Sequence, residues 1–380
     1  MNSQPPSNPY LMTDAFNPII QLDGEEYDFF CSCDYHNLQE DPRLREAAQR
    51  SLFEYPFKIG PSYYGFGKNK LYSELEEISA KFFGTDTALI YPSGYFGNTV
   101  LFRALSENFD IIFVDEGSHY SMKDALVLSG KPFVWFNHCD PQDLEHKIAQ
   151  HLSPNERPMI ASDGVFPVSG DIAPIPAYFE IIKKFPGGIM CIDDAHATGV
   201  LGKQGRGTYE HFALNDPRLY FCGTMSKALG SHGGVIPCSH EFAKRRRKSA
   251  YIMVGSTKLP IPTVAASITA MQILLDSPEK IQKLQSNALY FKKGLRDLGF
   301  QIAITPSGMA CITLGSEKEL EKLYLHLKKH HVLPLFAPSK SYTNVPTTGA
   351  IKFTITSNHS KKQFNRVLEI IRQWIEKKSK

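Results

Sequence analysis

The sequence has almost no surplus charge and no long apolar run. Lysine and arginine number 42 against 39 aspartates and glutamates, a net charge of +3 over 380 residues. A nucleic-acid footprint needs a concentrated basic face, so no nucleic-acid partner is expected. No stretch reaches the roughly 18 consecutive apolar residues of a transmembrane helix, so no membrane span is expected either. Met1–Pro9 is polar and rich in Pro, Ser and Asn, without the charged-then-apolar order of a secretory signal. Cysteine is scarce and odd in number: Cys31, Cys33, Cys139, Cys191, Cys222, Cys238 and Cys311. Most sit in apolar segments and read as reduced thiols of a cytoplasmic protein. Cys31 and Cys33 have no second pair at zinc spacing, so no metal site is expected. Internal repeats and low-complexity tracts are absent.

What is present is an alternation of short apolar runs and helical patterns. Leu71, Leu75, Ile78 and Phe82 share one helix face, and Gly84 follows as a stop. Apolar runs that read as buried strands come next: 88–91, 111–115, 132–136, 159–162, 189–193, 219–222 and 234–236. Crossover-length segments between most of them predict a mainly parallel sheet covered on both faces. A long helical stretch, about 262 to 276, ends at Ser277-Pro278-Glu279. A smaller α/β unit follows, with strands expected at 301–305, 309–314 and 351–355. A final helix carries the stripe Phe364, Val367, Leu368, Ile371, Trp374 and Ile375.

Four polar constellations follow strand ends, where open α/β sheets bind ligands. Gly223–Gly230 places Lys227 among small and hydroxyl residues directly after a buried strand. Burial makes such an amine a usable nucleophile, although a surface lysine in a polar turn fits composition alone. Ile192–Gly199 holds Asp193, Asp194 and His196. A strand-end carboxylate can pair with a protonated pyridine nitrogen and keep that ring an electron sink; a helix cap or a metal pair are the alternatives. In Gly117–Tyr120, His119 can stack on a flat ring, or stand beside an N-cap made by Ser118. Tyr91–Asn98 turns from strand to helix, where free N–H groups suit a phosphate and Gly94 permits close approach.

In this order and spacing the motifs resemble the α-oxoamine synthase family of fold-type I enzymes that use pyridoxal 5′-phosphate (PLP). The most specific stretches are IDDAHATGVLGKQGRG (192–207) and GTMSKALGSHGG (223–234), supported by DGVFPVSGDIAP (163–174) and GSTKLP (255–260). The resemblance implies an N-terminal segment (1–45), a large cofactor-binding domain (46–276) with a seven-stranded sheet, and a small C-terminal α/β domain (277–380). It implies that Lys227 is the Schiff-base lysine and proton carrier, Asp193 the ring-nitrogen partner, His196 the group at the ring hydroxyl and His119 the stacking residue. It assigns the phosphate to Thr224 and the amides of Gly94 and Tyr95. Ser256 and Thr257 match a segment that reaches a neighbouring subunit's phosphate, implying a homodimer with shared sites. The implied reaction joins an amino acid to an acyl-CoA or acyl-carrier thioester, usually with loss of CO2, to an α-amino ketone. Transamination or aldol cleavage would keep Lys227 and Asp193 but fits the glycine and His196 pattern less well.

The departures fall on the substrate side. Lys352 stands where the family has an arginine for the amino-acid carboxylate, and Cys33 where it has an asparagine. Pro61-Ser62-Tyr63 replaces Gly-Ser-Arg, Tyr72 a histidine, and Pro167 a serine near the ring hydroxyl. Lysine offers a point charge, not a bidentate fork. A specialised acyltransferase outside the biotin pathway is therefore expected. The basic run Lys244–Lys248 reads as a solvated helix face, with contact to CoA phosphates as the sharper alternative. Gly65-Phe66-Gly67 lacks the third glycine and preceding strand of a dinucleotide loop.

Overall fold

The computed structural model describes residues 18–22, 24–60, 66–246 and 251–378. Pro61–Tyr63, Gly65 and Arg247–Lys248 lie outside them. Among the described residues twelve strands run in chain order: β1 (Ile19–Leu22), β2 (Glu25–Phe30), β3 (Thr87–Tyr91), β4 (Ile111–Asp115), β5 (Phe133–Phe136), β6 (Pro158–Asp163), β7 (Ile189–Asp193), β8 (Leu219–Thr224), β9 (Gly234–Cys238), β10 (Met309–Ile312), β11 (Val332–Ala337) and β12 (Ala350–Thr354). Seven form one sheet in the order β3-β9-β8-β7-β6-β4-β5. These are the seven apolar runs of the sequence. The pairs from β5 through β8 are parallel, and β9 runs antiparallel between β8 and β3. Every residue of β3, β4, β6 and β7 is buried, because helices cover both faces.

Local chemistry sets the helix ends. The helix Lys70–Phe83 starts where the Asn69 side chain accepts from the Leu71 N–H (2.8 Å), and ends at Gly84 with φ +69°. The helix Ile261–Asp276 breaks at Ser277-Pro278 and resumes as Glu279–Asp297.

The second sheet has the order β1-β2-β11-β12-β10. Two strands here follow the sequence reading, at 309–312 and 350–354. Gln301–Thr305 is not a strand. Its polar groups turn inward: the buried Lys292 ammonium donates to the Thr305 carbonyl (3.1 Å), its hydroxyl (2.7 Å) and Ser307 (2.8 Å). Strand β11 escaped notice because Pro334 interrupts it. Pairing with β2 ends at Pro334, and pairing with β12 begins at Leu335, so the missing N–H falls at the hand-over.

His359 ties the N-terminal strand to this sheet. The Thr356 N–H donates to its Nδ1 (3.0 Å), and its Nε2 lies 3.1 Å from the Phe29 carbonyl, so the proton sits on Nε2. His36 Nε2 similarly donates to the Gly199 carbonyl at 2.7 Å. Burial pushes both imidazoles down to about 4. The unfolded chain therefore takes up protons first as pH falls from about 6.5, and stability is lost between there and about 4. Each histidine contributes on the order of 3 kcal/mol to that loss at most. Urea unfolding at stepped pH checks this. His359→Gln is expected to start less stable at pH 7 and to show a shallower decline below pH 6.5.

Candidate active site

The carboxyl ends of β4, β6, β7 and β8 converge on a cavity of about 360 Å³. Cys33, Gly94, Tyr95, His119, Asp193, His196, Thr224 and Lys227 all line it. Three residues assigned from the resemblance do not. Lys352 is buried on β12, opposite Cys311 and Leu335. Ser256 is half-buried and donates to the Ile252 carbonyl, and Thr257 is exposed.

Asp193 ends β7 and turns its carboxylate into the cavity. One oxygen accepts from Asn98 Nδ2 (2.7 Å), the other from the Ala195 N–H (3.0 Å). Its neighbour Asp194 points away and accepts from the Thr208 N–H (2.8 Å) and hydroxyl. Asp194 thus anchors the start of the helix Thr208–His211 from a distance in the chain, while Asp193 faces the cavity. A Cβ on Gly164 or Gly207 would lie 2.0 or 2.3 Å from the Asp194 carboxylate, so both positions need glycine.

Lys227 follows β8. Among the described residues its ammonium has no hydrogen bond or ion pair, and burial lowers its pKa, with Lys352 adding to the effect against Cys33 and Asp193. His196 Nδ1 lies 2.8 Å from the Tyr35 hydroxyl. Burial, then Lys227 and Lys352, hold its imidazole neutral. His119 itself caps the helix Tyr120–Ser129; the expected cap, Ser118, is buried without a side-chain partner. The Ser121 N–H donates to His119 Nδ1 (3.1 Å). Burial lowers this histidine too, so the neutral ring carries its proton on Nε2.

The cavity residue Asp163, and three residues that bond to cavity side chains, Asn98, Tyr35 and Tyr342, are not singled out from sequence. Asp163 ends β6 in register with Asp193, and accepts from the His119 N–H (3.2 Å). Burial, with Asp193 and Asp115 nearby, raises its pKa well above the usual carboxylate range. Asn98 and Tyr35 lay inside stretches that had been noticed, without a role. An acid ending an apolar run one strand from Asp193 was the available signal for Asp163. Tyr342, whose hydroxyl lies 2.5 Å from His119 Nε2, comes from a loop with no motif.

Asp115, His138 and Cys139 bring ligand-type atoms within 4.8 Å of one another. The Asp115 carboxylate already accepts from His138, Tyr178 and the N–H groups of Gly117 and Cys139. Burial works against the charged imidazole, but Asp115 and Asp171 lift His138 to about 12. A protonated ring beside a filled carboxylate makes an ionic junction, not a metal centre.

The cavity fits a planar anionic cofactor by its own chemistry. It combines an unpartnered amine, a strand-end acid with free lone pairs and a neutral ring histidine. At Gly94 the wall is bare: a Cβ would lie 2.4 Å from Thr224 Oγ1.

The fold is that of the fold-type I PLP-dependent transferases. The chain superposes on Sphingomonas wittichii serine palmitoyltransferase with a TM-score of 0.88 at 24% identity, covering 96% of this chain and 91% of that one. An 8-amino-7-oxononanoate synthase from Francisella tularensis gives 0.78 at 24% identity, covering 93% and 98%. The chain belongs to the aminotransferase class I and II family, whose model matches residues 29–371. Within it, the relatives place the chain among the α-oxoamine synthases. The 8-amino-7-oxononanoate synthase 1 of Bacillus velezensis is 34% identical over 357 residues, 93% of this chain and 90% of that protein. The 8-amino-7-oxononanoate synthase of Alkaliphilus metalliredigens is 30% identical over 355 residues, 93% and 89%.

Gly94→Ala would force Thr224 aside and fill the bare wall. It is expected to weaken PLP about tenfold or more with little change in Tm, read by titrating the cofactor's absorbance; a tenfold loss corresponds to about 1.4 kcal/mol.

Proposed function

We propose that this protein is a PLP-dependent acyltransferase that condenses an amino acid with an acyl-CoA or acyl-carrier thioester to an α-amino ketone. The observation that carries the proposal is one cavity holding the free amine of Lys227 together with Asp193, His119 and His196. When bound, PLP supplies an electron sink for the carbanion at the amino acid's Cα.

The chain supplies placement and protons. Lys227 presents the amine that takes the cofactor aldehyde. Burial lowers its pKa and so favours the neutral amine, which would also serve as the base for the amino acid's Cα proton. Asp193, braced by Asn98 and the Ala195 N–H, holds the ring nitrogen protonated. The raised pKa of Asp163 favours its neutral form beside Asp193. His196, with its Nδ1 2.8 Å from the Tyr35 hydroxyl, would present Nε2 to the ring oxygen. His119 covers the ring face, and Thr224 with the Gly94 and Tyr95 amides receives the phosphate. Such preorganised dipoles need no rearrangement during the reaction.

The protein works as a homodimer. Ser256 and Thr257 sit away from their own cavity, which suits a role at a partner's phosphate, and exposed Phe53, Phe57 and Phe66 suit a covered face. All seven cysteines are free, in keeping with a reducing cytoplasm. The large unit spans 46–276 and the small unit 277–380, with the N-terminal segment feeding the small sheet through β1 and β2. Lys352 and Cys33 replace a bidentate carboxylate clamp with a point charge and a thiol. The amino acid or acyl group accordingly differs from alanine and pimeloyl thioester.

Borohydride reduction of the PLP-loaded protein should fix the cofactor covalently. Lys227→Ala should abolish fixation while leaving circular dichroism and Tm within the range of the parent. In a panel of amino acids with acyl-CoA thioesters, amino-acid-dependent release of free thiol is the expected signal. Amino transfer to a keto acid without thiol release would overturn the reading. Family-typical rates with alanine and pimeloyl-CoA would overturn its substrate part.

A further inference from the structure

The chain between β11 and β12, residues 338–349, leaves the small sheet and reaches the strand ends of the large one. It touches two histidines there. The Tyr342 hydroxyl lies 2.5 Å from His119 Nε2, and the Asn344 amide 3.2 Å from His138 Nε2. The histidines follow β4 and β5, which are neighbours in the large sheet. At its base the segment is anchored by the Ser339 N–H donating to Glu317 (2.7 Å) and by the Gly349 N–H donating to the Pro346 carbonyl (2.8 Å). The Tyr342 ring packs edge-on against Tyr120 at 5.4 Å, so its hydroxyl is aimed and not free-swinging.

The direction of the short hydrogen bond follows from the other side of the ring. The Ser121 N–H donates to His119 Nδ1, which therefore has no proton. Nε2 carries it and donates to the Tyr342 oxygen. Burial raises the phenol to about 12, so Tyr342 keeps its own proton. Among the described residues no hydrogen bond takes that proton.

We propose that Tyr342 is a positioning residue: its oxygen fixes the plane and tautomer of His119, joining the 338–349 segment of the small unit to the ring that covers the cofactor. The proposal rests on His119 facing the cofactor ring. Two ring nitrogens held by two donors and acceptors on different units leave the imidazole one orientation. Without Tyr342 the ring nitrogens would be held only by Ser121, whose N–H and hydroxyl both meet Nδ1 (3.1 and 2.8 Å).

Tyr342→Phe removes one oxygen and keeps the ring against Tyr120. In cofactor-free protein, nitrogen-15 NMR of labelled histidine should show His119 as the Nε2–H tautomer, with the Nε2–H signal of a short hydrogen bond. In Tyr342→Phe that signal should move upfield or vanish by exchange, while the other histidines keep theirs. In loaded protein, PLP affinity should fall about three- to tenfold, as for one lost hydrogen bond. The same substitution in a His119→Asn background should change affinity less than twofold, because the partner is already gone. An unchanged His119 signal, or an equal loss of affinity in both backgrounds, would overturn the proposal. If the parent protein binds no PLP, the cofactor reading fails by itself, and the NMR comparison still decides the role of Tyr342.

Discussion

Three aspartates end adjacent strands of one buried sheet, and most of the site's architecture follows from keeping them there. Asp115, Asp163 and Asp193 close β4, β6 and β7 on the same edge. Buried like charges at that spacing cannot all persist without compensation. Each is settled differently. Asp115 is surrounded by donors and the His138 cation. At Asp163 burial and the neighbouring acids raise the pKa, which favours the neutral form. Asp193 receives only two donors, Asn98 and the Ala195 N–H, and retains capacity for a ligand. Asp193, with lone pairs to spare, and Lys227, whose ammonium has no hydrogen bond or ion pair among the described residues, both line the cavity.

Much of this was legible from residue order alone. The seven strands of the large sheet are unbroken apolar runs, and such runs are what burial on both faces demands. Lys227, Asp193, His196, His119 and Gly94 were visible because each follows a strand in a short stretch with few competing explanations. The residues that went unnoticed act at a distance in the chain. Asn98 meets Asp193 across 95 positions, Tyr35 meets His196 across 161, and Tyr342 meets His119 across 223. No local pattern encodes such pairings. The small sheet was harder for a related reason: β11 contains a proline, and its partner β2 lies near the opposite end of the chain. At 301–305 an extended-looking polar run serves the buried Lys292 ammonium instead of a ladder.

The cavity has two halves of different character. The half at the strand ends is closed by glycines, with little tolerance for change, as the 2.4 Å approach at Gly94 shows. The half toward the small sheet is built from Cys33, Pro167 and, at electrostatic range, Lys352. Burial lowers the pKa of both His196 and Lys227, and the Lys352 ammonium adds to it in both. An arginine in that place would add bidentate geometry; lysine leaves the angle of approach less constrained.

The partnership of β2 with β11 has a consequence for synthesis on the ribosome. Residues 28–30 find their strand partner only at 332–334. The large sheet, complete by Cys238, can assemble while the rest is still being made. The first strands must wait as an unpaired apolar edge for some 300 further residues, about 15 to 60 seconds of elongation at bacterial and eukaryotic speeds. During that interval Cys33 and Tyr35, which trail β2, cannot yet be in place. The nascent chain thus completes its scaffold well before its catalytic pocket, and chaperone binding to the leading segment would bridge the gap.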